Sequence, residues 1–437
     1  MRIRFVVFEK DVETRLVLLD EVRLKHQRLD FVVDNDELKI GDDLYELLRF
    51  RIVIAARLEV RADTVAQVLR LADVDDLARS IFVDVNAGTG RKSLELLLQR
   101  HVSSLTALGI RKQRPGRPFR YASVGVLRTV LTNHVREAAE FIKLGGVVAF
   151  PTETVYGLGA NVFDTAAVEK VFAAKQRPGD NPLIVHLADV GQISEVASEI
   201  TEAAKVLVSH FSPGPLTVVL KKSERVPAIA TAGLATVGIR IPGLRTANQF
   251  LIACHVPVAA PSANLSGRPS PTTWHAVAED LNGRIDCILQ GEPTETGIES
   301  TVVDCTGEVP IVLRSGSVTL EQLQAIIPET RINTGVDDDR RSPGTRHRHY
   351  TPEARVVLID HPDAVEKAPG AAYIGLARST TPFDYQSISA DVAEYARSLY
   401  EFLRECDRRG IHTIYCQVVD ESGIGRALMD RLQRAAS

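Results

Sequence analysis

The chain has 437 residues, 45 % of them hydrophobic, and 52 Lys and Arg stand against 56 Asp and Glu for a formal charge of −4. That length suits about three domains, and the near-neutral balance gives no general pull toward nucleic acid or anionic membrane. No apolar run approaches the roughly 18 residues of a membrane span and the start is charged, so a cytoplasmic protein without a membrane partner is expected.

Residues 1–130 read as an α/β domain of unknown type. Strand-like starts at Ile3–Phe8, Asp30–Val33, Ile52–Ala56 and Ile81–Val85 alternate with helical stretches at Val65–Ala72 and Leu94–His101. Asn86 to Ser93, NAGTGRKS, is a Gly-rich turn and not a phosphate loop, because Asn86 and Arg91 stand where GxxxxGK[ST] needs glycine. The basic run Arg111–Arg120, RKQRPGRPFR, reads as an exposed interdomain linker, with a local, weak RNA contact as the other reading.

From Leu131 strands and helices alternate, with Gly and Pro at each exchange. A helix Val135–Leu144 ends at Gly145-Gly146, and the strand Val147–Phe150 ends at Pro151. Thr152, Glu153 and Thr154 follow, and Tyr156-Gly157-Leu158-Gly159 continues the loop. Loops at strand ends are where sites sit. A helix Ala166–Lys175 stops at Lys175-Gln176-Arg177-Pro178, and the strand Leu183–Leu187 carries His186. Lys175 and Arg177, one residue apart on an exit loop, suit a polyanion such as a nucleotide phosphate.

A helix around Ile193–His210 and a buried strand Leu216–Leu220 come next. Val237 to Pro242 then places Arg240 inside an apolar strand, where a charge is costly unless it meets a carboxylate or a phosphate. Val256 to Gly267 is an apolar strand ending in small and hydroxyl residues, where the backbone can approach a ligand and Ser262 and Asn264 present polar atoms. Trp274 and His275 follow Pro271 on a helix and read as packing and surface residues. Strands at Ile285–Leu289, Val302–Cys305 and Ile311–Leu313 close the segment, with Glu299-Ser300-Thr301 before the second and Arg314 after the third.

Residues 331–352 form a linker, and 353–437 repeat strand and helix: Arg355–Ile359, Ala371–Leu376, helix Val392–Arg408, Thr413–Val418 and helix Arg426–Ala435. This is a small Rossmann-like unit without GxGxxG. Cys254, Cys287, Cys305, Cys406 and Cys416 lack ligand spacing and read as reduced core thiols. With no Ser-His-Asp order, no HExxH and no acidic metal cluster, catalysis is expected from cations, hydroxyls and backbone amides, with no protein-held metal.

FPTETVYGLG, KQRPxxNPLxxH, FSPGPLT, GIRIP, APSANLSG, STVVD and LRSG stand in the order and near the spacing of the YrdC family, whose members make threonylcarbamoyl-AMP. From Leu131 to Ile327 the chain resembles that family. Ser342 to Pro352, SPGTRHRHYTP, resembles the linker of its long, two-domain form. The resemblance implies an open twisted mixed sheet flanked by helices over 131–330, a linker and candidate lid over 331–352, and a C-terminal domain over 353–437. Residues 1–130 have no counterpart in the family.

The implied reaction takes up bicarbonate on the amine of L-threonine. The resulting carbamate attacks the α-phosphate of ATP, with Mg²⁺ carried in on the nucleotide, and the product passes to a tRNA threonylcarbamoyl transferase. By the same resemblance Thr154, His186, Arg240, Ser262 and Ser300 meet L-threonine. Lys175, Arg177, Asn181, Thr236, Ala260, Asn264, Arg314 and Tyr350 meet ATP, with Lys175 and Arg177 on the phosphates as the catalytic cations. Thr345 and His347 replace the Met and Tyr of the usual linker pattern. The rival functions are a double-stranded-RNA-binding protein using the concave face without catalysis, and a hydrogenase-maturation carbamoyltransferase. The second would need a larger chain and zinc-binding cysteines.

Overall fold

The computed structural model describes four short strands before residue 40, then residues 129–333, 350–365 and 369–437. Two compact units divide the chain at Gly125/Val126. In the first, β1 (Ile3–Lys10) pairs antiparallel with β2 (Glu13–Asp20), and β3 (Val32–Asp34) with β4 (Glu37–Lys39). The strands expected at 52–56 and 81–85, the helices at 65–72 and 94–101, the turn at 86–93 and the basic run at 111–120 lie outside the described residues.

Eleven strands of the second unit form one mixed sheet. Across it they run β15 (Arg331–Ile332), β14 (Ile311–Arg314), β13 (Thr301–Asp304), β9 (Leu216–Lys221), β10 (Thr236–Arg240), β8 (Ile184–His186), β11 (Val258–Ala260), β7 (Gly157–Asn161), β6 (Val148–Phe150), β12 (Cys287–Leu289) and β5 (Val130–Thr132). The β8/β10, β9/β13, β6/β12, β5/β12 and β14/β15 pairs are parallel and the rest antiparallel. Continuous apolar strands such as these need cover on both faces. Side-chain alternation supplies it: Val148 and Phe150 enter the core under helices Val135–Lys143 and Arg245–Cys254, while Ala149 enters the one under Thr165–Lys175 and Trp274–Leu281.

Two expectations change. Gly157 to Gly159 is the start of β7 and not loop, pairing with β6, and Ala160 and Asn161 go on to pair with β11. The helix expected around Ile193–His210 is two, Ile193–Val196 and Glu202–Phe211. Ala197 turns extended and bridges Lys222, and Thr201 caps the second helix by accepting from Ala204 N. Lys175 is the last residue of its helix, ahead of the left-handed Gln176.

A second sheet holds four parallel strands in the order β16 (Arg355–Ile359), β19 (Thr413–Gln417), β17 (Ala371–Gly375) and β18 (Tyr385–Ile388), the last not foreseen from sequence. Helices Val392–Arg408 and Ile424–Ala436 cover it. Their core continues into the first sheet's domain through Val155, Ile298 and Tyr350. All five cysteines are buried free thiols, and no helix among the described residues is long and apolar enough to cross a membrane.

Candidate active site

A cleft opens over the large sheet. Its wall takes residues from the β6–β7 loop, from β8 and β10, from the segment after β11, and from the residues flanking β13 and β14. Arg240 closes β10 at 5 % exposure, so its charge needs partners. Nη2 donates to Glu153 Oε1 at 2.7 Å, Nη1 to Thr154 Oγ1 at 2.8 Å, and Nε to Gly214 O at 3.3 Å. Glu153 Oε2 accepts from Leu244 N at 3.3 Å. Burial pushes the Glu153 carboxyl up, but the charge and hydrogen bond of Arg240 outweigh it and hold the group below its ordinary range.

His186, on the neighbouring β8, is buried, with Nδ1 3.2 Å from Ile184 O. Burial first, then the Arg240 charge, push its pKa down to about 3, so the ring is neutral. Ser300 Oγ lies 2.8 Å from Thr217 Oγ1 on β9. Arg314 donates to Ser300 O from Nε at 3.2 Å and Nη2 at 3.0 Å.

The opposite wall is organised by a buried ammonium. Lys175 Nζ donates to Ser262 O at 2.6 Å and Asn264 O at 2.5 Å. Burial, then the Arg177 charge, push this amine well below its ordinary range. Asn264 Oδ1 accepts from Ser262 Oγ at 2.5 Å, and its amide donates to Leu265 O and Arg268 O. Arg177 folds back on Asn181 O at 3.2 Å and Pro182 O at 2.9 Å while lining the cleft. Asn181 is 2 % exposed, and its Nδ2 has no partner among the described residues.

Tyr350 closes the rim, buried, and stacks on Tyr400 at 5.2 Å between centroids. It lines the cleft together with Arg177 and Arg314, and burial pushes its phenol up to about 12. Beneath it Glu299 accepts from Ser270 Oγ at 2.7 Å, Tyr400 Oη at 2.9 Å and Arg431 Nε at 3.0 Å. Burial raises the Glu299 carboxyl, and Arg431, Arg314 and the Ser270 bond more than offset that, so it is ionised. No group of three His, Cys, Asp or Glu side chains among the described residues is placed to hold a metal ion.

Of the sequence-derived candidates, Thr154, Arg177, His186, Arg240, Ala260, Ser262, Asn264, Ser300, Arg314 and Tyr350 meet on this cleft. Lys175 and Asn181 sit behind its wall, and Lys175 is engaged with backbone carbonyls. Thr236 begins β10 at the end away from Arg240, about 13 Å off by strand rise, and does not line the cleft. Sequence reading left Glu153 between orienting its loop and assisting proton movement, gave Glu299 no role, and did not single out Thr217, Ser270 or Arg431. Thr217 carried the same signal as Arg240, a polar side chain inside an apolar strand. Residues 334–349, most of the candidate lid, lie outside the described residues.

Residues 140–316 match the Sua5_yciO_yrdC family model, described as telomere recombination, and 318–437 match the model of the threonylcarbamoyl-AMP synthase C-terminal domain. The threonylcarbamoyl-AMP synthase of Pyrococcus abyssi is 44 % identical over 319 residues, covering 69 % of this chain and 94 % of that protein. The Bacillus subtilis protein of the same name is 39 % identical over 320 residues, covering 69 % and 92 %. The crystal structure of P. abyssi Sua5 complexed with L-threonine aligns with a TM-score of 0.64 at 41 % identity, over 71 % of this chain and 97 % of that one.

Proposed function

The chain belongs to the Sua5_yciO_yrdC family, and from that membership we infer that it is an L-threonylcarbamoyladenylate synthase making threonylcarbamoyl-AMP and pyrophosphate from L-threonine, bicarbonate and ATP. The observation that carries this reading is the pairing of two clusters in one cleft. Arg240, Thr154 and His186 form a carboxylate- and hydroxyl-binding group, and Arg177 and Arg314 bring two further cations to the same cleft.

Threonine amine and bicarbonate condense to a carbamate with loss of water. A carbamate oxygen then attacks the α-phosphorus of ATP, and the bond to the β-phosphate oxygen breaks to release pyrophosphate. Mg²⁺ enters with ATP as part of the substrate, since Glu153 and Glu299 are committed to arginines. Arg240 grips the threonine carboxylate alongside Glu153. Neutral His186, Thr154, Ser262 and Ser300 supply hydrogen bonds without adding charge. Arg177 and Arg314 offset negative charge developing on the phosphates, which is catalysis by positioning and preorganised charge.

Asn181, behind the wall, accepts from Arg177 Nε through its backbone oxygen and so steadies that cation for the nucleotide. Lys175 acts from below by holding the Ser262–Asn264 backbone against the nucleotide, with Ala260 giving close approach; Thr236 supports β10 from its far end. Residues 131–330 are the catalytic domain, 331–352 the linker, and 353–437 the C-terminal domain. The product is a mixed anhydride suited to an acceptor enzyme in the same compartment, a tRNA threonylcarbamoyl transferase in the cytoplasm.

Pyrophosphate release by the purified chain with ATP, Mg²⁺ and bicarbonate tests this. Release is expected with L-threonine and not with L-valine, since each unpaired buried polar group costs about 1–3 kcal/mol. Release without threonine or bicarbonate, or none at all, would refute the assignment.

A further inference from the structure

Helix Ile424–Ala436, in the cover of the small C-terminal sheet, sends Arg431 into the catalytic side of the unit, where the side chain is fully buried. A guanidinium survives there only among anions and carbonyls. Nε donates to Glu299 Oε2 at 3.0 Å, and Nη1 to Ser315 O and to Asp430 Oδ2, both at 2.8 Å. The guanidinium carbon lies 5.8 Å from the Tyr350 ring centroid, within cation–π range.

Each of the three contacts across the domains lands on the cleft or next to it. Glu299 precedes Ser300, Ser315 follows Arg314, and Tyr350 itself lines the wall. The connections close a ring: Arg431 to Glu299, along the chain to Ser300, from Ser300 O back to Arg314, along the chain to Ser315, and from Ser315 O to Arg431. The two strand ends it spans are already as near as they can be. A Cβ on Gly316 would meet Glu299 O and Thr301 N at 2.4 Å. A side chain serving only to tie two sheets together has no need of three partners adjoining three substrate positions.

We propose that Arg431 is a positioning residue for the adenylation step, fixing Ser300, Arg314 and Tyr350 relative to one another from the C-terminal domain. The inference rests on the synthase reading above. It makes the C-terminal domain part of the nucleotide site without placing any of that domain's atoms on substrate.

The full chain is compared with Arg431→Met, Arg431→Lys and Tyr395→Phe. The last loses a part-buried bond to Gln417 O in the same domain, away from the cleft. Thermal midpoint, KM for ATP, KM for threonine and ATP affinity by calorimetry without threonine are measured. Arg431→Met is expected to weaken ATP by about tenfold or more, as loss of a supporting residue does, with a smaller change in KM for threonine. Arg431→Lys should regain midpoint more than ATP affinity, because one ammonium cannot hold Glu299 and Ser315 in a fork. Tyr395→Phe should move the midpoint only. The proposal is overturned if Arg431→Met lowers the midpoint with ATP affinity unchanged, or if Tyr395→Phe weakens ATP equally. Should Arg431→Met not fold, wild-type ATP affinity in Arg431→Lys overturns it. A wild-type chain that binds ATP with this dependence on Arg431 but releases no threonine-dependent pyrophosphate would sink the synthase reading and leave the positioning role standing.

Discussion

Arg240 shows how far a single residue can be read. That a charge inside VGIRIP must meet an anion follows from solvation alone; which anion does not, because Glu153 lies 87 positions away. The protein supplies one carboxylate itself, and Thr154 and the cleft take the other side of the fork. Truncating one member of a buried pair costs about 3–5 kcal/mol by stranding the other. Glu153→Ala should therefore lower the urea-derived stability by that amount, and a loss below about 1 kcal/mol would show that Arg240 finds compensation elsewhere. The partners of Lys175 were illegible for a related reason. Spacing from Arg177 gives its neighbourhood on the chain, whereas the Ser262 and Asn264 carbonyls that capture it come from 87 and 89 residues on.

Secondary-structure elements were legible where a local pattern ran uninterrupted. Arg355–Ile359 and Val392–Arg408 fall where the apolar periodicity puts them. β18 was missed because its YQSI residues are exposed or half-buried on a sheet edge, with no apolar run to mark them. The long helix expected after Ile193 broke because a β-bridge to Lys222 and the Thr201 cap are worth more there than continued helix. β7 was hidden by glycines that look like loop residues and are in fact close-approach residues in a strand. A Cβ on Gly159 would sit 2.6 Å from Val258 Cγ1 and 3.0 Å from the Phe150 ring. Gly159→Ala should thus separate β7 from β11, at about 1–3 kcal/mol as overpacking does. Hydrogen exchange at Val162, whose amide donates to Pro257 O beyond the paired ends, would report it; unchanged protection would count against so tight a fit.

Over the whole unit, stability and site share their charged groups. Glu153 and Glu299 are both held below the ordinary carboxylate value of 4.5, so their stabilisation is present above that pH and is lost as pH falls through the lower folded values. His186 has a folded pKa of about 3 against an ordinary 6.5. The unfolded chain therefore binds its proton first, and stability declines from about pH 6.5 downward. The urea midpoint should fall in two stages on acidification, gently below about pH 6.5 and steeply below about pH 4.5. A midpoint that stays flat from pH 7.5 to 5 would contradict the buried, neutral imidazole.

Arg404, also in the C-terminal domain, reaches Asp280 at 2.8 Å and Pro269 O at 2.6 Å, and Asp280 in turn accepts from Leu265 N at 3.1 Å. Together with Arg431 on Glu299 it means that two of the anions around the cleft, Asp280 and Glu299, draw a buried counter-charge from residues beyond 400. A lineage that lost residues 353–437 in one deletion would leave Asp280 its bridge to Arg268 at 2.7 Å, whereas Glu299 would lose both Arg431 and the Tyr400 hydroxyl and keep Ser270. Shortening this chain to a lone catalytic domain therefore costs most at Glu299, the acid that must be neutralised first or in the same event.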